Sequence, residues 1–258
     1  MNSVNKTLYI PLRGKALLSS QGRVIHDPWA EEIWNAEGFP LRGKAASKWL
    51  AYHMAIRSAG FDRWTAGKLA ENPDATVLHL GCGLDSRYLR VSEPRRAWFD
   101  VDFPDVIDAR RRYFSPQEGY QMIGSDLREN WLSQVPRGGC AIVVMEGISM
   151  YLNREELKAL LAGIRSHFDK VHLLMDIYTP FGAAASKYKN PINQVGVTKV
   201  YGYENPETLF SGLTYLTEHP LCPEELITQL PKKEQGIFRH LFAGGFARRI
   251  YRLWEFEG

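Results

Sequence analysis

The chain has 258 residues, 45% of them hydrophobic, and its 32 basic and 29 acidic side chains give a net charge of +3. This size and composition predict one domain with a substantial core, and the well-mixed charges, without a long basic block, argue against nucleic acid as a partner. Three widely spaced cysteines, no histidines at zinc-binding spacing and no apolar run long enough to cross a bilayer indicate a cytoplasmic protein with no metal and no membrane partner.

Residues 1–70 place apolar side chains three and four positions apart, a spacing that is typical of helices. Asp27 and Pro28 are the residue types of a helix N-cap and first turn, so a helix is predicted to begin beside Trp29. We interpret 1–70 as a helical N-terminal cap.

From 76 to 177, short apolar strands alternate with helices. This alternation predicts a Rossmann-like α/β fold in which helices cover both faces of a mostly parallel central sheet. Strands are predicted at 77–80, 97–101, 121–123, 141–145 and 171–177, and helices at 86–91, 106–113, 127–134 and 154–167. We interpret 76–177 as a cofactor-binding core.

The first predicted strand leads into Gly81-Cys82-Gly83, and the second ends near Asp102, nineteen positions after Gly83. Because Gly81 and Gly83 lack a Cβ, the chain can turn tightly there and a ligand can lie against the backbone. The carboxylate of Asp102 can accept two hydrogen bonds from a ribose diol. This arrangement predicts a site for a nucleoside cofactor.

The glycine loop favours one of two cofactor classes. A dinucleotide-binding loop would have a third glycine where this chain has Ser86, and Asp85 would repel a pyrophosphate. S-adenosylmethionine has no phosphate, and its sulfonium and α-amino groups tolerate nearby acids. We therefore expect S-adenosylmethionine as the cofactor, with a NAD-dependent oxidoreductase and a non-catalytic cofactor-binding protein as the alternatives.

The regular alternation ends after residue 177. We interpret 178–245 as an acceptor-side lid that contains one strand, at 213–218, and is irregular from about 222 onwards. Residues 246–258 are interpreted as a closing strand. The aromatic side chains of the lid either stack on a planar substrate or pack in a small core of their own. They include Tyr178, Phe181, Tyr188, Tyr201, Tyr203, Phe210 and Tyr215.

Four motifs, in this order and spacing, resemble the leucine carboxyl methyltransferase family. They are Gly81-Cys82-Gly83-Leu84-Asp85-Ser86-Arg87, Phe99-Asp100-Val101-Asp102-Phe103-Pro104, Gly124-Ser125-Asp126-Leu127-Arg128 and Glu146-Gly147-Ile148-Ser149-Met150-Tyr151-Leu152. The resemblance covers about 12–174, and 250–254 is also similar. It implies a class I methyltransferase that uses S-adenosylmethionine, in a family that includes bacterial O-methyltransferases of polyketide tailoring, which esterify a carboxyl group.

The resemblance also implies which residues bind the adenosine part of the cofactor. Gly81 and Gly83 would lie under it, Asp102 would bind the ribose, and Asp126 with Leu127 would hold the adenine. The local sequence allows a second role, because Asp102 and Asp126 each precede a predicted helix and could cap it.

The resemblance implies three further residues for the methionine part. Glu146 would face it, and Lys15 with Arg57 would clamp its carboxylate, although Arg13 competes with Lys15 for that position. From the residues alone, Glu146 could instead be an acid of a surface turn, and Lys15 and Arg57 could be solvated.

The acceptor decides whether the reaction needs a base. A carboxylate is already ionised at pH 7 and needs none, whereas a hydroxyl would require a base such as His53 or Tyr151. Positioning the acceptor is the expected role of Tyr151. We therefore predict an O-methyltransferase that esterifies a carboxyl group of a small molecule, with hydroxyl methylation and methylation of a protein carboxyl terminus as the alternatives.

Overall fold

The structure of the protein, a computed structural model, describes residues 5–91, 96–186 and 199–258. Tyr188, one of the aromatic residues noted in the sequence, lies outside these ranges. Within the described ranges, seven strands form one sheet in the order β3-β2-β1-β4-β5-β7-β6. Their bounds are β1 Thr76–Leu80, β2 Trp98–Asp102, β3 Tyr120–Gly124, β4 Cys140–Met145, β5 Lys170–Tyr178, β6 Thr214–His219 and β7 Tyr251–Glu257.

The predicted mostly parallel sheet is confirmed. Strands β1 to β5 pair in parallel, β7 is antiparallel to β5, and β6 is antiparallel to β7. Successive residues of a strand point to opposite faces, so Val77 and Ile142 pack in one apolar cluster while Leu78 and Val143 pack in another. Both faces are therefore covered, which is why these strands are apolar along their whole length.

Helices lie before, between and after the strands. The α-helices are α1 Tyr9–Ser20, α2 Pro28–Glu37, α3 Lys48–Glu71, α4 Arg87–Val91, α5 Pro104–Arg110, α6 Arg154–His167, α7 Pro180–Ser186, α8 Pro206–Leu209, α9 Glu224–Ile227, α10 Lys232–Phe238 and α11 Gly245–Arg248. Short 3-10 helices span Asn5–Leu8, Gly43–Ala46, Trp131–Gln134 and Ser149–Tyr151, and a π-helix spans Arg239–Ala243. No helix in the described ranges has the length and hydropathy needed to span a membrane.

Local sequence explains where two helices begin. The side chain of Asp27 accepts a hydrogen bond from the Ala30 amide at 2.9 Å, and Pro28 occupies the first turn of α2, as predicted. Helix α6 begins with a capping box in which Asn153 and Glu156 bind each other's backbone amides. Both helices therefore start at residues that satisfy amides left free by the first turn.

Two predicted elements were wrong, and a third begins later than predicted. The helix expected at 127–134 is only the 3-10 turn Trp131–Gln134, because the Asp126 carboxylate binds the Arg128 amide at 3.0 Å and forms a tight turn. The region from 222 to 245 is not irregular but consists of short helical segments. The closing strand begins at Tyr251, later than expected, because Gly245–Arg248 forms a helix before it.

We predict that Gly14→Ala destabilises the protein by about 1–3 kcal/mol, the usual cost of overpacking. Helices α1 and α3 cross so closely that a Cβ on Gly14 would lie 2.6 Å from the Ala51 carbonyl oxygen and 2.8 Å from Met54 Cβ. The matched control is Gly67→Ala, since no atom lies within 4 Å of a Cβ at that exposed position of α3. Denaturant titration should show Gly67→Ala gaining up to about 1 kcal/mol in free energy of unfolding. Equal effects of the two substitutions would contradict the prediction.

Candidate active site

A cavity of about 890 Å³ opens at the carboxyl ends of strands β1, β2 and β4. Gly81, Asp102 and Glu146, which follow or end these strands, all line it. In an open parallel sheet this edge is the usual place for a ligand, and the volume lies within the range of small-molecule sites. Helices α1 and α3 close the cavity with Lys15 and Arg57.

The glycine loop requires glycine for two separate reasons. Gly81 and Gly83 have φ values of 66° and 53°, in the left-handed region that favours glycine. A Cβ on Gly81 would also lie 2.0 Å from Cγ2 of Ile148. Both the backbone conformation and the close contact with Ile148 therefore exclude a side chain at Gly81.

Asp102 is held against the glycine loop. Its Oδ2 accepts a hydrogen bond from the Gly83 amide at 2.7 Å, and its Oδ1 accepts one from the Phe103 amide at 2.8 Å. Each oxygen keeps a further acceptor position. The capping alternative is wrong, because no side chain caps α5. Burial raises the pKa of Asp102 to about 6, although the two backbone hydrogen bonds oppose the shift.

Asp126 and Leu127 line the same cavity beyond strand β3. Asp126 does not cap a helix, since its carboxylate binds the amide and the guanidinium of Arg128, with Nε at 2.9 Å from Oδ1. Hydrogen bonds from Arg128 lower the pKa of Asp126. The carboxylate is therefore ionised and fixed at the rim of the cavity.

The two cations expected at the methionine end are both buried in ion pairs. Lys15 Nζ lies 2.8 Å from Asp85 Oδ2, and Arg57 Nε lies 3.0 Å from Glu146 Oε1. Arg13 instead donates to the Ser47 carbonyl oxygen at 3.2 Å and is not among the described residues that line the cavity. Of these two candidates, Lys15 therefore lines the cavity and Arg13 binds the backbone of Ser47.

Asp85 is not the free negative charge that the loop sequence suggested. Although burial opposes ionisation, Arg90 and Lys15 hold the pKa of Asp85 well below its usual range. Arg90 Nη1 lies 2.8 Å from Asp85 Oδ1, on the side opposite the contact with Lys15. Asp85 therefore holds Lys15 in place at the wall of the cavity.

Sequence reasoning missed the role of Arg87, which closes the first motif. Its guanidinium is fully buried and forms ion pairs with Glu146 and with Asp62, whose Oδ1 lies 2.6 Å from Arg87 Nε. Motif membership was the only signal in the sequence, because Asp62 and Glu146 lie far from Arg87 along the chain. Arg87 fixes the carboxylate that Arg57 also binds.

Tyr151, His53 and Phe242 line another part of the cavity. The rings of His53 and Phe242 stack at 4.9 Å, and burial raises the pKa of Tyr151. Of the aromatic residues noted in 178–245, Tyr178 also lines the cavity. Most of the others pack against the sheet core: Tyr201, Tyr203, Phe210 and Tyr215.

The sequence of this chain is similar to those of known methyltransferases. The family model described as leucine carboxyl methyltransferase matches residues 12–165. The chain is 36% identical to the tetracenomycin polyketide synthesis O-methyltransferase TcmP of Streptomyces glaucescens, over 98% of this chain and 97% of that protein. It is 30% identical to the S-adenosyl-L-methionine-dependent methyltransferase dpfgK of Gibberella zeae, over 83% and 81%.

Solved structures of low sequence identity share the fold. A putative methyltransferase from Thermobifida fusca has a TM-score of 0.56 at 12% identity, with 95% of this chain and 93% of that chain covered. The magnesium protoporphyrin IX methyltransferase ChlM of Synechocystis, crystallised with bound SAH, has a TM-score of 0.50 at 11% identity, with 94% and 97% covered.

The protein is an S-adenosylmethionine-dependent methyltransferase, and these relatives decide against a nicotinamide-dependent oxidoreductase. The chemistry of the site fits this cofactor. Asp102 would offer carboxylate oxygens to a ribose, Glu146 would offer one to an α-amino group, and Lys15 and Arg57 would supply positive charge for a carboxylate.

We predict that the affinity for S-adenosylhomocysteine falls about tenfold between pH 7 and pH 5. Because burial raises the pKa of Asp102 to about 6, its carboxylate takes up a proton as the pH falls through this value. A protonated carboxyl accepts weaker hydrogen bonds from the ribose. Calorimetry at several pH values measures the change, and Asp102→Ala is the control that should bind weakly at every pH. A wild-type affinity that does not change over this range would contradict the assignment.

We predict that Lys15→Met weakens S-adenosylhomocysteine at least about tenfold but leaves the affinity for adenosine unchanged. Only the longer ligand has the methionine carboxylate, and Asp85 keeps its ion pair with Arg90 in this variant. Arg13→Met is the matched control two residues away and should change neither affinity. Equal losses for both ligands would give Lys15 a merely structural role.

Proposed function

The chain belongs to the leucine carboxyl methyltransferase family, and from this premise we propose that it methylates a carboxylate of a small acceptor molecule. The name of the family refers to a carboxyl group, and the name of TcmP refers to polyketide synthesis and O-methylation. An acceptor with an apolar, polyketide-like body and a carboxylate is consistent with both.

This proposal rests on the protonation state of His53, whose imidazole lines the cavity. His53 was the candidate base for a hydroxyl acceptor, but burial and the nearby Arg57 lower its pKa to about 3. An imidazole with this pKa is a poor proton acceptor for a hydroxyl group. Tyr151, the other candidate, has a raised pKa and keeps its own proton. An acceptor that arrives ionised needs neither group as a base.

The ion pairs suggest which residue has which role in the proposed reaction. When bound, S-adenosylmethionine supplies the methyl group from a sulfonium, whose S–CH3 bond breaks as the acceptor oxygen attacks. Asp102 binds the ribose, while Glu146 and the pair Lys15 and Arg57 orient the methionine end. Tyr151 positions the acceptor through its neutral hydroxyl. Catalysis then depends on approach geometry and on exclusion of water.

The lining of the cavity supports an acceptor with an apolar body. Met54 and Met150 are buried apolar residues in its wall, and the aromatic rings of Trp49, Tyr178 and Phe242 also line it. Flexible thioethers and flat rings adapt to planar and irregular apolar ligands.

We also propose that 1–70 caps the site, that 76–177 forms the cofactor-binding core and that 178–245 is a lid on the acceptor side, followed by the closing segment 246–258. Lys15, His53 and Arg57 reach the cavity from the first segment, and Phe242 reaches it from the lid. Gly81 and Gly83 with Leu127 belong to the core segment, which supplies the adenosine end.

We predict that the product is a base-labile methyl ester. The assay uses S-adenosylmethionine with a labelled methyl group and a panel of aromatic carboxylic acids, each matched with the phenol of the same ring system. Label should be transferred to acids, and mild alkali should release it as methanol, because an ester hydrolyses whereas a methyl ether does not. Peptides with a free carboxyl terminus form a third arm. A base-stable product from the phenols, or transfer to peptides alone, would overturn the proposal.

A further inference from the structure

A buried pair of polar side chains beside the cavity has no role in the chemistry described so far. His53 lies on α3 and its ring lines the cavity, while Cys222 lies just before α9. His53 Nδ1 and Cys222 Sγ are 3.3 Å apart, and only 8% of His53 and 6% of Cys222 are exposed. The two residues are distant in sequence, so the fold brings them together.

Both members of this pair are neutral. Burial raises the pKa of the Cys222 thiol to about 12, and burial with the nearby Arg57 lowers the pKa of His53 to about 3. Two neutral groups share one hydrogen bond in one of two directions. A thiol sulfur is a weak acceptor, whereas an unprotonated imidazole nitrogen is a good one, so the S–H group donates to Nδ1. The ring proton of His53 then resides on Nε2.

The ring orientation leaves this Nε2–H group for a ligand. Nδ1 is turned towards Cys222, which packs in an apolar cluster with Leu226 and Ile227, and Nε2 lies at the opposite edge of the imidazole. Stacking on Phe242, with an angle of 18° between the ring planes, fixes the ring. The hydrogen bond that the described residues give this ring runs through Nδ1 to Cys222.

The free donor lies close to the proposed methionine end of the cofactor site. His53 and Arg57 are four residues apart on α3 and therefore lie on one face of this helix, one turn from each other. Arg57 binds Glu146, which follows strand β4. A ligand that binds to this face of α3 would thus lie beside both the methionine end of the cofactor site and the imidazole of His53.

We propose that the Nε2–H group of His53 donates a hydrogen bond to the carboxylate of the methyl acceptor, and that the Cys222 thiol is a positioning residue that fixes this tautomer. The inference rests on the proposed function, since it requires a carboxylate acceptor. A neutral donor orients a carboxylate oxygen without the strong ion pair that a lysine or arginine would form. The oxygen that attacks the methyl group therefore keeps its negative charge.

The test measures the KM for the acceptor acid in three variants. The acid used is the one that the labelling assay above identifies. His53→Phe keeps a flat ring against Phe242 but removes the donor, and it should raise the KM for the acid about tenfold or more. Cys222→Ala frees the tautomer and should raise this KM by a smaller factor. Cys222→Ser again presents a hydroxyl donor to Nδ1 and should restore the wild-type value. Calorimetry should give the same affinity for S-adenosylhomocysteine in all three variants.

A spectroscopic readout does not depend on turnover. Nitrogen NMR of the wild-type protein should show His53 protonated at Nε2 across neutral pH, and Cys222→Ala should show a mixture of tautomers. A proton on Nδ1 in the wild type, or an unchanged KM in His53→Phe, would overturn the inference. If the wild type makes base-stable ethers, the proposed function fails first, whereas ester formation with an unchanged KM in His53→Phe rejects this inference alone.

Discussion

The site depends on the compensation of charges that the fold has buried. Arg87 is fully buried and is held between Asp62 and Glu146, while Arg90 joins Asp62 to Asp85. An unpaired charge in such a place costs several kcal/mol, so each partner can be buried only if the others are present. Because these residues come from α3, the glycine loop, α4 and the end of β4, the network fixes the relative positions of all four. The shape of the cofactor site is thus a consequence of charge pairing in the interior.

The network also explains why this loop receives a cationic cofactor. Its five carboxylates face four cations among the described residues: Asp27, Asp62, Asp85, Glu146 and Asp176 against Lys15, Arg57, Arg87 and Arg90. Burial raises the pKa of Asp176, which shares Arg57 with Glu146. With Asp176 ionised, the network carries one negative charge in excess. A ligand with a sulfonium, an ammonium and a carboxylate has a net charge of +1 and would balance this excess, whereas a pyrophosphate would add to it.

Local patterns in the sequence predicted much of this architecture. The apolar strands, the Asp27 and Pro28 helix start and the bend at Gly81 and Gly83 depend on neighbouring residues, and the structure has all of them. The predicted helix at 127–134 failed because one side chain, Asp126, satisfies the backbone as a turn. The partners of Arg87 and the contact of His53 with Cys222 join residues that are distant along the chain. No periodicity encodes such contacts, because they exist only after the elements have packed.

The buried ion pairs and the apolar walls of the cavity suit the chemistry of methyl transfer in different ways. Methyl transfer from a sulfonium to a carboxylate joins a cation and an anion into neutral products, so the transition state carries less charge than the reactants. Strong ion pairs to the reacting oxygen would stabilise the reactants and slow the reaction. In this cavity the buried cations are already occupied, Lys15 by Asp85 and Arg57 by Glu146, and the imidazole of His53 is neutral. In the proposed reaction the ion pairs therefore position the cofactor, while the acceptor meets neutral donors and apolar walls that leave its negative charge available for attack.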